Sequence, residues 1–135
     1  MTTNHLADAP IVTAKDAISR HMQWRITLQL AIALNEPLSP SAIHAIEHSE
    51  QCPIGRWLAS QHTSVLRNTP EYRDLVTRHE EFHREVAQIA SMINHGKYGA
   101  ARRAIDLNSN FRKASQAIAN AITALDRIQP IAIAS

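Results

Sequence analysis

The chain has 135 residues, 44% of them hydrophobic, 4% aromatic and 19% charged, with three glycines and one cysteine. That composition describes one folded domain large enough to bury a core, and it excludes a disordered chain, a disulfide scaffold and, for want of aromatics and turn residues, a β-sandwich or barrel. Fourteen Lys and Arg against twelve Asp and Glu leave a formal charge of +2, with the signs interleaved; the clustered basic charge needed for a nucleic-acid or membrane-surface footprint is missing.

Residues 1–12 read as a loose leader ending near Pro10, without the charged start and apolar stretch of a signal peptide. Thr13 followed by Asp16 resembles a capping box, and Ile18, His21, Trp24 with Arg25, Leu28 and Ile32 trace one stripe, so a first helix is expected from about Thr13 to Leu34. The longest apolar stretch, Ile26 to Leu34, is nine residues with polar interruptions, far short of a membrane span. The expectation is a cytoplasmic protein.

Asn35 to Ser39 is a connection, and Ser39-Pro40 opens a short helix to about His48, with proline at the first helical position. Cys52-Pro53 repeats that arrangement and places Cys52 at the N-cap of a short helix carrying Ile54, Trp57 and Leu58. Residues Gln61 to Asn68 are ambiguous. Thr69-Pro70 starts a long helix whose inner face carries Tyr72, Leu75, Val76, His79, Phe82, His83, Val86, Ile89 and Ile93, and His95-Gly96 ends it. A final helix is expected from about Ala100 to Ile128, with Phe111, Ala114, Ile118, Ile122 and Leu125 inward and Pro130 as its stop. The fold class is therefore all-α, an antiparallel bundle of three long helices with one or two short ones. It occupies residues 13–128, followed by a tail over 129–135.

Eight histidines are the outlier in this composition. His79 and His83 stand four residues apart, one turn on one helical face, where two imidazoles can share a metal ion. That face is apolar, so metal or a polar network must offset the burial of two imidazoles. His21 falls on the inward stripe of the first helix. Cys52 is expected at a helix N-terminus whose dipole and free N–H groups favour a thiolate. Three histidines and one thiolate complete a tetrahedral Zn2+ site. A buried core histidine, or a small buried cysteine, is the plainer reading of any one of them alone; the combination points to metal.

These elements resemble the bacterial chemoreceptor zinc-binding domain family. The likeness rests on His21-Met22-Gln23-Trp24, Cys52-Pro53-Ile54-Gly55-Arg56-Trp57 and His79-Glu80-Glu81-Phe82-His83, in that order, and covers about residues 13–128. The resemblance implies a zinc-bound helical bundle that often forms a homodimer, with His21, Cys52, His79 and His83 as ligands. It also implies a cytoplasmic sensor of zinc or of hypochlorous acid, acting through a chemoreceptor or a diguanylate cyclase on chemotaxis or cyclic-di-GMP synthesis. No segment here resembles such an output domain, so the expectation is a stand-alone sensor or an excised piece.

Other residues fit around this site. Gly55 would allow close backbone packing near the metal, and Trp24 and Trp57 would wall it from water. His44 and His48 form a second pair at metal spacing and are rival ligands, with His48 also a candidate to support the ligands from behind. His5, His62 and His95 read as surface residues, and Arg102-Arg103 and Arg112-Lys113 as a solvated face. Two rival functions remain. His79-Glu80-Glu81-Phe82-His83 also matches the H-E-x-x-H helix of zinc metalloproteases, but Cys52 would close the position that catalysis leaves to water. Alternatively zinc merely staples an interaction module, a reading the sequence does not separate from a sensor.

Overall fold

The computed structural model describes residues 13–131, with the backbone alone at residues 61 and 62. The expected leader, His5, the side chain of His62 and the last four residues of the expected tail lie outside the described residues. Six α-helices follow in order: α1 (Ala14–Leu34), α2 (Pro40–Glu47), α3 (Pro53–Leu58), α4 (Pro70–Asn94), α5 (Tyr98–Ala104) and α6 (Asn110–Ile128). Single 3-10 segments, Ser49–Gln51 and Gln61–Leu66, flank α3, and the second of them resolves the ambiguous stretch. Among the described residues there is no strand, and no helix is long and apolar enough to cross a membrane.

The helix starts are those that local chemistry dictates. Thr13 Oγ1 accepts from Asp16 N, Ser39 Oγ from Ala42 N and Thr69 Oγ1 from Tyr72 N, each satisfying one amide that a helix start leaves unpaired. Pro40, Pro53 and Pro70 each follow their cap residue, where a missing N–H costs nothing. Asn35 closes α1 in the left-handed region at φ 52°, and Gly96 follows α4 at φ 74°, a conformation that glycine adopts without a Cβ clash.

One expectation is corrected. The final helix is not continuous from Ala100; it divides into α5 and α6 around Ile105–Ser109. Asp106 turns its carboxylate onto the Leu107 amide at 2.7 Å, and Ser109 restarts the helix by accepting from Arg112 N at 3.2 Å. Asp, Asn and Ser in this stretch compete with the helical ladder for the backbone, and that competition outweighs the apolar periodicity on either side.

The core is built by α1, α4 and α6, with α4 packed most extensively on α6. His21 lies beside His79 and His83 while the Leu38 amide donates to Asn94 Oδ1 at 2.8 Å, so α1 and α4 run in the same direction rather than antiparallel as the sequence led one to expect. The intervening short elements carry the chain back between them, and α2 packs on α4. Phe111 at the start of α6 meets Phe82 in the middle of α4, with ring centroids 5.9 Å apart, so the chain has doubled back along α4 before α6 begins. Leu28, Phe82, Ile93, Ile118, Ile122 and Leu125 are fully buried in this core. Ile131, placed in the tail by the sequence, is also buried, and its amide is held by Asp126 Oδ1 at 2.7 Å.

Candidate metal centre

Most of the buried polar side chains in the described core are histidines: His21, His79 and His83, with Thr63 the remaining member. His21 comes from α1, His79 and His83 from adjacent turns of α4, and half-buried Cys52 from the N-cap of α3. One donor atom from each lies within 4.8 Å of all the others, and this is the group of metal-binding geometry among the described residues. Cys52 Sγ stands 3.0 Å from His79 Nε2 and 4.0 Å from His21 Nε2. The imidazole rings pack edge to face, with centroids 5.3 Å apart for His21 and His79 and 4.7 Å for His79 and His83.

Backbone carbonyls set two of the rings. A carbonyl oxygen only accepts, so the 2.8 Å contact of His21 Nδ1 with the Ala17 carbonyl makes Nδ1–H the donor and leaves Nε2 as the lone pair facing Cys52. His83 Nδ1–H donates in the same way to the Ile46 carbonyl of α2 at 3.3 Å. Its Nε2 is then buried without a hydrogen-bond partner in the protein. An orphaned lone pair of this kind costs about 1–3 kcal/mol unless something else occupies it. Metal-binding histidines are held from behind by such a contact on the second ring nitrogen.

Burial also keeps the histidines neutral. It lowers the pKa of His21 to about 4, against a smaller opposing effect of the Ala17 carbonyl. It lowers that of His79 to about 2, with His21 and His83 adding to the effect, and it lowers His83 as well. Cys52 departs from expectation. Its Sγ does accept from the Gly55 amide, at 3.5 Å, but burial outweighs that contact and raises the thiol pKa. A six-residue helix start supplies too little to hold a thiolate by itself. A cation held by these four donors would supply the missing stabilisation.

The donor set fits zinc. Bonds of about 2.1 Å to nitrogen and about 2.3 Å to sulfur put tetrahedral corners about 3.3–3.6 Å apart, so donors 3.0 to 4.8 Å apart need shifts of only about 1 Å. Three imidazoles and one thiolate, without a carboxylate in the group, suit Zn2+ rather than Mg2+ or Ca2+. Gly55 secures the approach of the cysteine segment: a Cβ there would collide with the Ser49 carbonyl oxygen and lie 3.2 Å from the Glu50 backbone. The close packing is thus against the turn preceding Cys52.

The remaining candidates separate clearly. Trp57 is buried in the core, whereas half-buried Trp24 lines a cavity that reaches His21, Cys52 and His83. His44 and His48 lie outside the four-donor group, with His48 contacting Glu50 and His44 rather than a ligand. His95 is exposed at the end of α4, bonded through Nδ1 to the Ser91 carbonyl. Glu80 is exposed and lies outside the four-donor group. Sequence reasoning missed the two carbonyls, Ala17 and Ile46. Their positions depend on backbone geometry; only the i−4 relation of Ala17 to His21 was visible in advance.

A family model described as "Chemoreceptor zinc-binding domain" matches residues 21–90, just over half of the chain, a span that begins at His21 and includes Cys52, His79 and His83. No curated protein and no solved structure matches the chain. With the His3Cys group at its centre, the match supports Zn2+ as the cofactor and a zinc-binding sensory domain as the coarse function. The chain belongs to the chemoreceptor zinc-binding domain family.

Proposed function

We propose that His21, Cys52, His79 and His83 together bind one zinc ion, and that the Cys52 thiolate makes the domain responsive to oxidants as well as to zinc supply. The observation that carries this reading is the convergence of three buried, neutral imidazoles and the half-buried Cys52 thiol on one spot. Zinc bound there supplies the positive charge that keeps Cys52 ionised. Three helices meet through these side chains, so a change in Cys52 alters how α3 is held against α1 and α4.

Hypochlorous acid is the oxidant class with the simplest chemistry. The thiolate sulfur attacks chlorine and releases hydroxide, and water then hydrolyses the S–Cl bond to sulfenic acid, chloride and a proton. The net change is thiolate plus HOCl to sulfenic acid plus chloride. A sulfenic acid is neutral and a poorer donor than a thiolate, so the Cys52 segment is released from the three histidines. The resulting rearrangement would be read by a partner, a chemoreceptor or a diguanylate cyclase, controlling chemotaxis or cyclic-di-GMP synthesis in the cytoplasm.

The domain acts in this reading as a homodimer. Ile26, Leu30 and Leu34 form an exposed apolar row on α1, 61%, 58% and 56% exposed at helical spacing, and a second copy would cover it. Zinc release and helix repacking on adding hypochlorite, followed with a zinc indicator and near-ultraviolet circular dichroism, test the mechanism. Cys52→Ala should abolish both responses. A response that survives in Cys52→Ala refutes the thiolate mechanism, and a wild-type protein that keeps its zinc and its shape through oxidation is a structural staple instead.

A further inference from the structure

The cavity beside the metal centre has a volume of about 510 Å3 and is lined by His21, Cys52 and His83 within and by His44 and His48 as well. The two groups differ in access. His21 and His83 are buried, whereas His44 is exposed and His48 half-buried. The outer pair therefore stands where this cavity meets solvent, beside exposed lining residues such as Ser19, Gln23 and Gln51.

His44 and His48 lie four residues apart at the end of α2, with ring centroids 4.3 Å apart and planes tilted by 39°. The turn that follows α2 holds both from behind. The Glu50 carboxylate accepts from His48 Nδ1–H at 3.2 Å, and the Gln51 side-chain oxygen accepts from His44 Nε2–H at 3.3 Å. His48 is thereby left with a lone pair on Nε2 and His44 with one on Nδ1. A carboxylate behind one ring nitrogen is the support that metal-binding histidines use.

The same helix is tied to the inner centre. Ile46, between the two histidines in sequence, is the residue whose carbonyl orients His83. The outer pair thus shares one cavity with His21, Cys52 and His83, and its helix orients one of these donors, His83.

We propose that His44 and His48 form a second, weaker binding site for a divalent transition-metal ion, from which the ion passes through the cavity to the inner centre. The passage rests on the inner site proposed above; the outer site does not. Two imidazoles replace part of the hydration shell of an ion while leaving the rest as water, so they hold it less tightly than three imidazoles and a thiolate. Solvent exposure makes such a site quick to fill and quick to empty. An ion arriving there has already lost part of its water before it meets the buried donors.

The test uses the full chain stripped of metal. Equilibrium dialysis against Zn2+ counts ions, and the cobalt–thiolate absorption band on mixing with Co2+ times arrival at Cys52. The wild type should bind a second, weakly held equivalent of zinc. The double variant His44→Gln/His48→Gln should lose that equivalent and develop the cobalt–thiolate band several-fold more slowly, but to the same final intensity. Cys52→Ala/His79→Ala should still bind a zinc ion at the outer pair. A single equivalent in the wild type, with loading equally fast in the double variant, overturns the proposal. Loss of the outer equivalent without any change in loading rate overturns the passage. Absence of a cobalt–thiolate band in the wild type, with the outer ion still bound, refutes the inner site and the passage together while leaving the outer site standing.

Discussion

Acid should unfold the metal-free protein far more readily than its composition suggests, because neutral histidines sit at the centre of its core. An unfolded histidine takes up a proton near pH 6.5, whereas the folded chain lowers His21 to about 4 and His79 to about 2, through burial first. Below pH 6.5 the unfolded state therefore binds more protons than the folded state, and stability falls with pH until the folded pKa values are reached. Between pH 7 and pH 5 the unfolded-state protonation of one such histidine is worth about 2 kcal/mol, so His21 and His79 together remove about 4 kcal/mol. His83, lowered for the same reason, adds to this. Against the roughly 5–15 kcal/mol that holds a domain of this size together, that is a large fraction. Urea titrations of chelator-treated protein at pH 7, 6 and 5 measure it directly. His79→Leu, which takes one titrating group out of the core, should lessen the dependence by about 2 kcal/mol. A wild-type stability that changes by less than about 1 kcal/mol across this range would refute the reasoning.

The alkaline side carries the opposite sign for a different residue. Burial raises the Cys52 thiol, so above pH 9 the unfolded chain loses its proton first and the metal-free protein should lose stability as pH rises; Cys52→Ala should remove that loss in the same titration. Gly55→Ala should destabilise the fold by about 1–3 kcal/mol, because the new methyl meets the Ser49 carbonyl, and should weaken the cobalt–thiolate band by displacing Cys52. Unchanged urea midpoints and an unchanged band would remove Gly55 from the account. Thr69→Ala should cost about 1 kcal/mol in urea, since it takes away the cap on Tyr72 N at the start of α4. Leu30→Glu should leave a folded monomer in analytical ultracentrifugation if the α1 row is the surface between two copies, and an unaltered dimer would place that surface elsewhere.

The sequence exposed what local chemistry controls. Ser39-Pro40, Cys52-Pro53 and Thr69-Pro70 announce their helices because a cap followed by proline has one comfortable conformation, and each helix starts there. The four donors were legible because spacing along α4 fixes His79 against His83, and because polar rings on apolar stripes need an explanation. What stayed hidden depends on competition between near-equal effects. Around Ile105–Ser109 side-chain contacts to the backbone defeat a periodic pattern that alone would continue the helix. Ala17 and Ala31, fully part of the buried face of α1, were overlooked because small side chains carry little pattern, whereas Trp24 advertises a burial it only half attains. At Cys52 the helix start and burial pull the thiol in opposite directions, and only the three-dimensional surroundings decide that burial prevails.

X-ray absorption at the zinc edge, on protein purified without added metal, tests the central claim most directly. The account predicts a four-coordinate shell of one sulfur and three nitrogens, supplied by Cys52, His21, His79 and His83. A shell of nitrogen and oxygen without sulfur would contradict it, since Cys52 would then stand apart from the metal and the oxidant response would have no thiolate to act on.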